Sequence, residues 1–399
     1  MAVTEFSGDP RAVQGCRRLS ILGATGSIGT STADLVRRNP EAFDVAVLTA
    51  NRNAADLATL ARELRPELAI VADPEAYTEL QELLAGTGIE VAAGPQALVE
   101  AAREPVDMTI AGIVGAAGLD SALAAIQQGT VVALANKECL VCAGDLVLEA
   151  CHAAGTTLLP LDSEHNAIFQ VFETENAADV EKLVLTASGG PFRTWTRPQM
   201  ATATPDQAVA HPNWDMGRKI SVDSATMMNK GLELIEAAYL FPVASENIDV
   251  LVHPQSVVHS MVAYTDGSML AQLGPPDMRV PIAHALAWPA RMKTPVERLD
   301  LAAIGTLDFE APDDERFPAI ALARAALDSG NGSTAVLNAA NEVAVQSFLD
   351  NLIGFLDITK FVEKTLELVQ ASPIRTLDDF RALDTETRVV TESLVKSGS

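Results

Sequence analysis

The feature that most limits how this chain folds is a rhythm in its first 160 residues. Short aliphatic runs (Leu19–Leu22, Val45–Thr49, Leu68–Val71, Met108–Ile110 and Val131–Leu134) alternate with Ala-, Leu- and Glu-rich stretches of helical spacing. Strands buried on both faces read as unbroken apolar runs. Alternated with helices, they predict βαβ units and a mostly parallel sheet with helices on both faces. From about Leu158 the texture changes. Leu183–Ala187, Val250–Val252 and Ser260–Ala263 read as strands among polar, glycine-rich loops, with one strong helix over Ala225–Leu240. The stretch Trp288–Pro312 reads as a linker. Beyond it, Phe317–Asp328, Ser333–Asn351 and Ile358–Gln370 have apolar residues at helical spacing and predict a small helical end domain.

Composition narrows the function classes. With 399 residues, 48% of them hydrophobic and 20% charged, the chain has material for a large core and is not globally disordered. Its 28 Lys and Arg stand against 53 Asp and Glu, a net charge of −25. That balance argues against a protein that tracks nucleic-acid phosphates or sits on an anionic membrane. Cys16, Cys139, Cys142 and Cys151 are too few for a disulfide scaffold and suggest a reducing compartment. The longest apolar stretches, such as Val106–Ala117, fall short of a membrane span, and residues 1–18 read as a flexible lead-in without a signal-peptide core. A soluble, cytoplasmic protein is expected.

Directly after the first run comes Gly23-Ala-Thr-Gly26-Ser-Ile-Gly29, a strand–turn–helix setting. Glycines there let a backbone approach a pyrophosphate, and a helix N-terminus offers unpaired N–H groups. The G-x-x-G-x-x-G spacing is a weak signal alone, and a turn that only packs helix on strand is the bland alternative. After the second run, where an NAD site usually has a carboxylate, stand Asn51, Arg52 and Asn53. A fixed guanidinium suits a 2′-phosphate, which predicts NADP(H) over NAD(H).

A strand-like run leads into Asp162-Ser163-Glu164-His165-Asn166. In an extended chain the two acids would point to one side, about 6.6 Å apart. Farther on, Asn229, Lys230 and Glu233 share a helix face at i, i+3 and i, i+4. All-oxygen donors select a hard ion, Mg²⁺ or Mn²⁺, over zinc. On spacing alone these are equally ordinary surface acids. Ser188-Gly-Gly, His211 to Lys219, Ser224, Asn229 and Lys230 supply the hydroxyls, amides and ammonium that suit a phosphate monoester. Overall negative charge is largely screened beyond about 8 Å, so a local basic nest still binds an anion. Cys139-Leu-Val-Cys142 admits a zinc or redox reading, but in an apolar segment the cysteines read better as small buried hydrophobes. His284, in an apolar helical stretch, reads as a core histidine rather than a ligand.

Read in order, NKECLV (136–141), LDSEHNAIFQ (161–170), TASGGPFR (186–193), HPNWDMGRKISVDSATMMNKGLELIEA (211–237), VHPQSVVHSMV (252–262), PPDMRVPIAHAL (275–286) and VLNAANEVAV (336–345) resemble the 1-deoxy-D-xylulose 5-phosphate reductoisomerase family. The likeness runs from Leu19 to the C-terminal helices. It implies an α/β protein with a Rossmann-like NADPH-binding domain (19–160), a central α+β catalytic domain (161–287), a linker (288–312) and a C-terminal four-helix bundle (313–399), as a homodimer. It also implies an NADPH- and Mg²⁺- or Mn²⁺-dependent rearrangement and reduction of a phosphorylated sugar on the methylerythritol phosphate route to isoprenoids.

Carried over residue by residue, the resemblance implies that Thr25, Gly26, Ser27 and Ile28 cradle the NADPH pyrophosphate. Asn51, Arg52 and Asn53 would sit at the ribose phosphate, with Asn136, Glu138 and Gly217 at the nicotinamide half. Asp162, Glu164 and Glu233 would hold the metal. Ser188, Ser224, Asn229 and Lys230 would hold the substrate phosphate, while Lys137, Ser163 and His211 line the reacting carbons. His259 and Met278 would lie near the site, and Trp214 and Met216 would belong to a lid. Asn51 and Arg52 depart from the commoner Gly and Lys of the family, and Asp215 adds a lid carboxylate with no account. A plain NADP-dependent reductase would need neither the three acids together nor a divalent ion. A silent NADPH-binding regulator would show no turnover.

Overall fold

The computed structural model describes residues 15–211, 214 and 216–398. Most of the expected lead-in (1–14) and Asp215 lie outside the described residues. The chain forms two compact units that do not follow chain order. One comprises the described residues up to Cys139 with Val147–Asn166 and Asp277–Glu297; the other comprises Leu140–Leu146, Ala167–Pro276 and the described residues from Arg298 onward.

The first unit is built on seven strands: β1 (Arg17–Leu22), β2 (Phe43–Ala50), β3 (Leu68–Val71), β4 (Glu90–Ala93), β5 (Met108–Ala111), β6 (Val131–Leu134) and β7 (Thr157–Pro160). Their order is β4-β3-β2-β1-β5-β6-β7, with every neighbouring pair parallel. This is the Rossmann-like sheet expected from the aliphatic runs. Leu19, Ile21, Leu48, Ile70, Met108, Ile110 and Val132 are each at most 1% exposed, so the central strands are covered on both faces. β2 to β4 add outward from one side of β1 and β5 to β7 from the other. In such sheets ligands bind outside the carboxyl ends of the strands where the order reverses. Those ends carry the loops holding Gly23 to Gly29, Arg52, Asn136, Lys137 and Asp162.

Gly29 in the Ser27–Arg37 helix is required by close approach: a Cβ there would lie 2.4 Å from Ala24 Cα. The third glycine of the run therefore lets the helix press against the turn that precedes it.

The second unit has a four-stranded sheet of β8 (Val180–Ala187), β9 (Ile248–Val252), β10 (Val258–Tyr264) and β11 (Met269–Leu273), ordered β11-β10-β8-β9. β8 and β9 are parallel, and the other pairs antiparallel. Four helices end the chain: Ala319–Ser329, Ser333–Leu349, Asp357–Leu368 and Leu377–Ser397. Ala319, Ala323, Leu337, Ala340 and Val362 from three of them pack with Met228, Leu232 and Ile235, small residues letting the helices approach closely.

The single helix expected over Ala225–Leu240 is two. One ends at Thr226, Met227 takes left-handed backbone (φ 64°), and the next runs Met228–Leu240. A non-glycine residue in that region costs roughly 1–2 kcal/mol. Met227 is buried, and its carbonyl accepts N–H bonds from both Lys230 and Gly231 at 3.1 Å, which hold the break in place. Nothing in the run Thr-Met-Met-Asn announces it. Among the described residues no helix is long and apolar enough to cross a membrane.

Candidate active site

In the first unit the site follows from strand register. Leu134 of β6 pairs with Pro160 of β7, so the residues just beyond both strands emerge side by side. Lys137 Nζ lies 2.6 Å from Asp162 Oδ2, with the two side chains only 8% and 9% exposed. His165 Nδ1 is 3.1 Å from the other oxygen of Asp162, which also accepts the Glu164 backbone N–H. Burial pushes the Asp162 carboxyl up, but the Lys137 ammonium and His165 outweigh it and hold the group well below the usual carboxylate range. Asp162 and Glu164 each offer a carboxylate oxygen within 4.8 Å of the other. They are not joined in the manner expected of an extended chain: Ser163–Val171 is a helix, and Glu164 sits in its first turn. The strand-to-helix turn converges the acids. The Ser163 hydroxyl donates to Glu164.

At the glycine loop, Gly26 caps the Ser27–Arg37 helix without any side-chain bond to its first amides. Arg52 projects beyond β2, with Nε 2.7 Å from Asp73 and Nη2 3.3 Å from Glu75. Asn53 serves the fold, capping the Ala54–Leu64 helix by accepting from the Asp56 N–H. Asn136 is buried and donates to the carbonyls of Ile113 and Gly115 at 2.6 and 2.8 Å, while its Oδ1 has no protein donor. Met278 caps the Arg279–Ala287 helix at its N-terminal end, and Glu138 opens the helix Glu138–Ala154. Cys139, Cys142 and Cys151 are buried free thiols, and burial pushes Cys151 up to about 12. His284 shares a 3.2 Å contact with Asn166.

In the second unit, Asn229 donates to Glu233 Oε1 at 2.5 Å and Lys230 pairs with the other oxygen of Glu233, as their helical spacing predicts. Lys230 and Glu233 are both buried. The loop that follows Ser188 meets the helix carrying Ser224 at Gly190, whose backbone is left-handed (φ 67°) and so close to the end of the Arg218–Thr226 helix that a Cβ would lie 2.6 Å from the Ser224 carbonyl.

The protons of the adjoining segment are ordered by its bonds. The Trp214 N–H donates to His211 Nδ1 at 3.0 Å, so a neutral His211 carries its proton on Nε2, 2.9 Å from Ser188 Oγ. Ser188 Oγ also accepts the Gly190 N–H at 3.1 Å. With two acceptor positions filled, the Ser188 O–H is oriented to donate. Burial lowers His211 to about 4, keeping the imidazole neutral at physiological pH. The Trp214 ring lies 6.2 Å from that of His259, which burial also lowers to about 4. Gly217 begins the Arg218–Thr226 helix, just after Met216.

Sequence reasoning missed His165 and Asp73 as partners. His165 follows Asp162 at helical i, i+3 spacing, and Asp73 lies just past β3, the neighbour of β2. Both positions were available as signals once the strands were assigned.

These features define an α/β protein of the dinucleotide-binding class with an acidic pair at the sheet's carboxyl edge. Family models described as 1-deoxy-D-xylulose 5-phosphate reductoisomerase match residues 19–144, and those of its C-terminal domains match 158–241 and 273–390. The chain belongs to the 1-deoxy-D-xylulose 5-phosphate reductoisomerase family. It is 59% identical over 384 residues to the 1-deoxy-D-xylulose 5-phosphate reductoisomerase of Rhodospirillum centenum, covering 96% of each chain. The fold matches that of the Zymomonas mobilis reductoisomerase solved with NADPH (TM-score 0.91, 55% identity, 96% of this chain and 99% of that one). It also matches a DOX-P reductoisomerase solved with NADPH, fosmidomycin and magnesium (TM-score 0.91, 44% identity, 95% and 98%).

The three lowered histidines, His211, His259 and His284, each at about 4, set a pH dependence. Between their unfolded value, near 6.5, and about 4, the unfolded chain takes up protons that the native chain refuses. Stability is therefore full above that window and falls as pH drops through it. Thermal midpoints measured from pH 7 to 4 are expected to decline, and His259→Gln to shallow the decline. A midpoint flat across the window would show that these imidazoles are not held neutral.

Proposed function

We propose that this protein catalyses the NADPH- and divalent-metal-dependent rearrangement and reduction of 1-deoxy-D-xylulose 5-phosphate to 2-C-methyl-D-erythritol 4-phosphate, a step of isoprenoid biosynthesis. The observation that carries the reading is the meeting, on the carboxyl edge of one sheet, of a glycine-opened helix and the Asp162–Glu164 pair, in a chain matched to the family along nearly its whole length.

The residues fit each group. For NADPH there are first-turn amides at Ser27 and Ile28 with no side-chain cap, and a buried Asn136 oxygen with no protein donor. Arg52 supplies the cation for the 2′-phosphate, its guanidinium aligned by Asp73. For the ion there are hard oxygen donors, with Asp162 held ionised; in our reading Glu233 is the third ligand. The bound ion acts as a Lewis acid and template toward the substrate's vicinal oxygens, and NADPH supplies the hydride.

The chain's own residues do the rest. Lys137 places an ammonium beside Asp162, where it favours negative charge on substrate oxygen. Ser188, with Ser224, Asn229 and Lys230, grips the phosphate, a remote contact whose binding energy orients the reacting carbons. His211 fixes the direction of the Ser188 hydroxyl and ties it to the backbone of Trp214, which we read with Met216 as part of a lid. Residues 19–160 form the cofactor part, 161–287 the catalytic part, 288–312 the linker and 313–399 the helical end.

The protein works as a cytoplasmic homodimer in this reading. Four free thiols fit that compartment, and β11 is a sheet edge presenting Met269 and Leu270, 53% and 39% exposed, for a second copy to cover.

NADPH consumption is expected to require both the sugar phosphate and Mg²⁺ or Mn²⁺ after chelation. Glu233→Gln is expected to lower kcat by about 10²-fold or more while NADPH affinity holds. Oxidation without metal would point to a plain reductase. Arg52→Ala is expected to raise the KM for NADPH by roughly ten- to a hundredfold, as for one lost charge-assisted bond, and to leave that for NADH unchanged. Light scattering should give twice the 42.1 kDa chain mass, falling to one chain when Met269 and Leu270 are both replaced by lysine.

A further inference from the structure

Within the second unit, the Ser333–Leu349 helix carries two carboxamides one turn apart, Asn338 and Asn341, both fully buried. Asn341 Nδ2 donates to Asp223 Oδ1 at 2.7 Å across 118 residues of sequence. The other oxygen of Asp223 is 2.9 Å from Lys219 Nζ, and Asp223 itself is 1% exposed. A carboxylate only accepts, so it dictates which end of the amide faces it. Asn341 Oδ1 then has no donor, an unfavourable state for a buried oxygen. A helix face built for packing alone would present leucine or alanine here. The amide makes a bond that neither of these could make.

That bond reaches the site. Asp223 adjoins Ser224 at the end of the Arg218–Thr226 helix, and that end is the surface against which Gly190 and the Ser188 loop are pressed. Beyond it the helix is broken at the left-handed Met227 and does not run on into the one that follows.

We propose that Asn341 is a positioning residue of the phosphate-binding set: through Asp223 it fixes the Arg218–Thr226 helix, and so the placement of Ser224 against Ser188. This rests on the reading that Ser188 and Ser224 hold the substrate phosphate.

The test is steady-state kinetics on the full chain with NADPH and Mg²⁺, with inorganic phosphate as competitor. Asn341→Asp sets a second carboxylate against Asp223. It is expected to raise the KM for the sugar phosphate roughly tenfold and weaken phosphate competition similarly, with the KM for NADPH within about twofold. Asn341→Leu, branched alike with the same number of side-chain heavy atoms, removes the donor and is expected to behave alike. Exchanging the pair, Asp223→Asn with Asn341→Asp, again faces an amide with a carboxylate and is expected to recover most of the loss. Lower thermal midpoints with unchanged kinetic constants would overturn the positioning role. If Ser224→Ala raises the KM but neither Asn341 variant does, that role alone falls. If Ser224→Ala has no effect on the KM, the phosphate reading falls and this inference with it.

Discussion

The Lys137–Asp162 ion pair is the contact on which the chemistry proposed for the first unit depends, and it is a product of sheet topology. Two adjacent parallel strands end in register, and the residues two and three positions beyond them must share the same edge. Taking both charges out of water costs several kcal/mol per ion, which attraction offsets only when the remaining valences are also satisfied. Here they are: Asp162 also accepts from the Glu164 N–H and meets His165. A buried pair of this kind is weak evidence for stability. In the proposed reading its consequence is chemical, because the Lys137 ammonium and His165 keep Asp162 in the ionised form that a hard cation requires. The second unit also holds a buried ion pair, Lys230 with Glu233, here joined by helical i, i+3 spacing instead of strand register.

A different constraint organises the hydroxyls. Serine donates one proton and accepts two bonds, so whatever fills its acceptor positions decides where the proton points. At Ser188 both are filled from fixed directions, by Gly190 and by His211, and His211 in turn is set by the Trp214 backbone. Desolvation keeps the imidazole neutral, and the link to Trp214 needs that form, because a protonated ring has no acceptor at Nδ1. The low proton affinity of His211 is thus a condition of the arrangement as well as a result of it.

How much of this was legible in the sequence follows from how each element is solvated. Central strands were read directly because both faces are apolar. β4 and β11 were not, and both are edges: Glu90–Ala93 and Met269–Leu273 are half or fully exposed and lack the unbroken aliphatic signature. β7 was read only as a strand-like run, since Pro160 closes it. The last helix, Leu377–Ser397, buries Thr387 and Thr391 alongside Phe380 and Leu383, so its inner face is not a hydrophobic stripe. The break at Met227 carries no glycine or asparagine to mark it. In the site, residue types and short-range spacings were readable, while pairings such as Asn341 with Asp223 were not. Local sequence reports side chains a helical turn apart; contacts across 118 residues are set by packing that no window contains.

The acidity of the chain bears on how it binds anions. Lys137, Lys230, Lys219 and Arg52 each face a carboxylate: Asp162, Glu233, Asp223 and Asp73. Charge pairing leaves little bare positive potential, and a net charge of −25 offers no long-range attraction for a phosphate. In the proposed reading, recognition then rests on directed donors at short range: the Ser188 hydroxyl, the carboxamide of Asn229 and the ammonium of Lys230. Donors of that kind discriminate by geometry, so their value depends on placement to a fraction of an ångström. On that reading, groups remote from the ligand, such as a glycine that lets two backbones touch or an amide that pins a helix, belong to the site as much as the residues that line it.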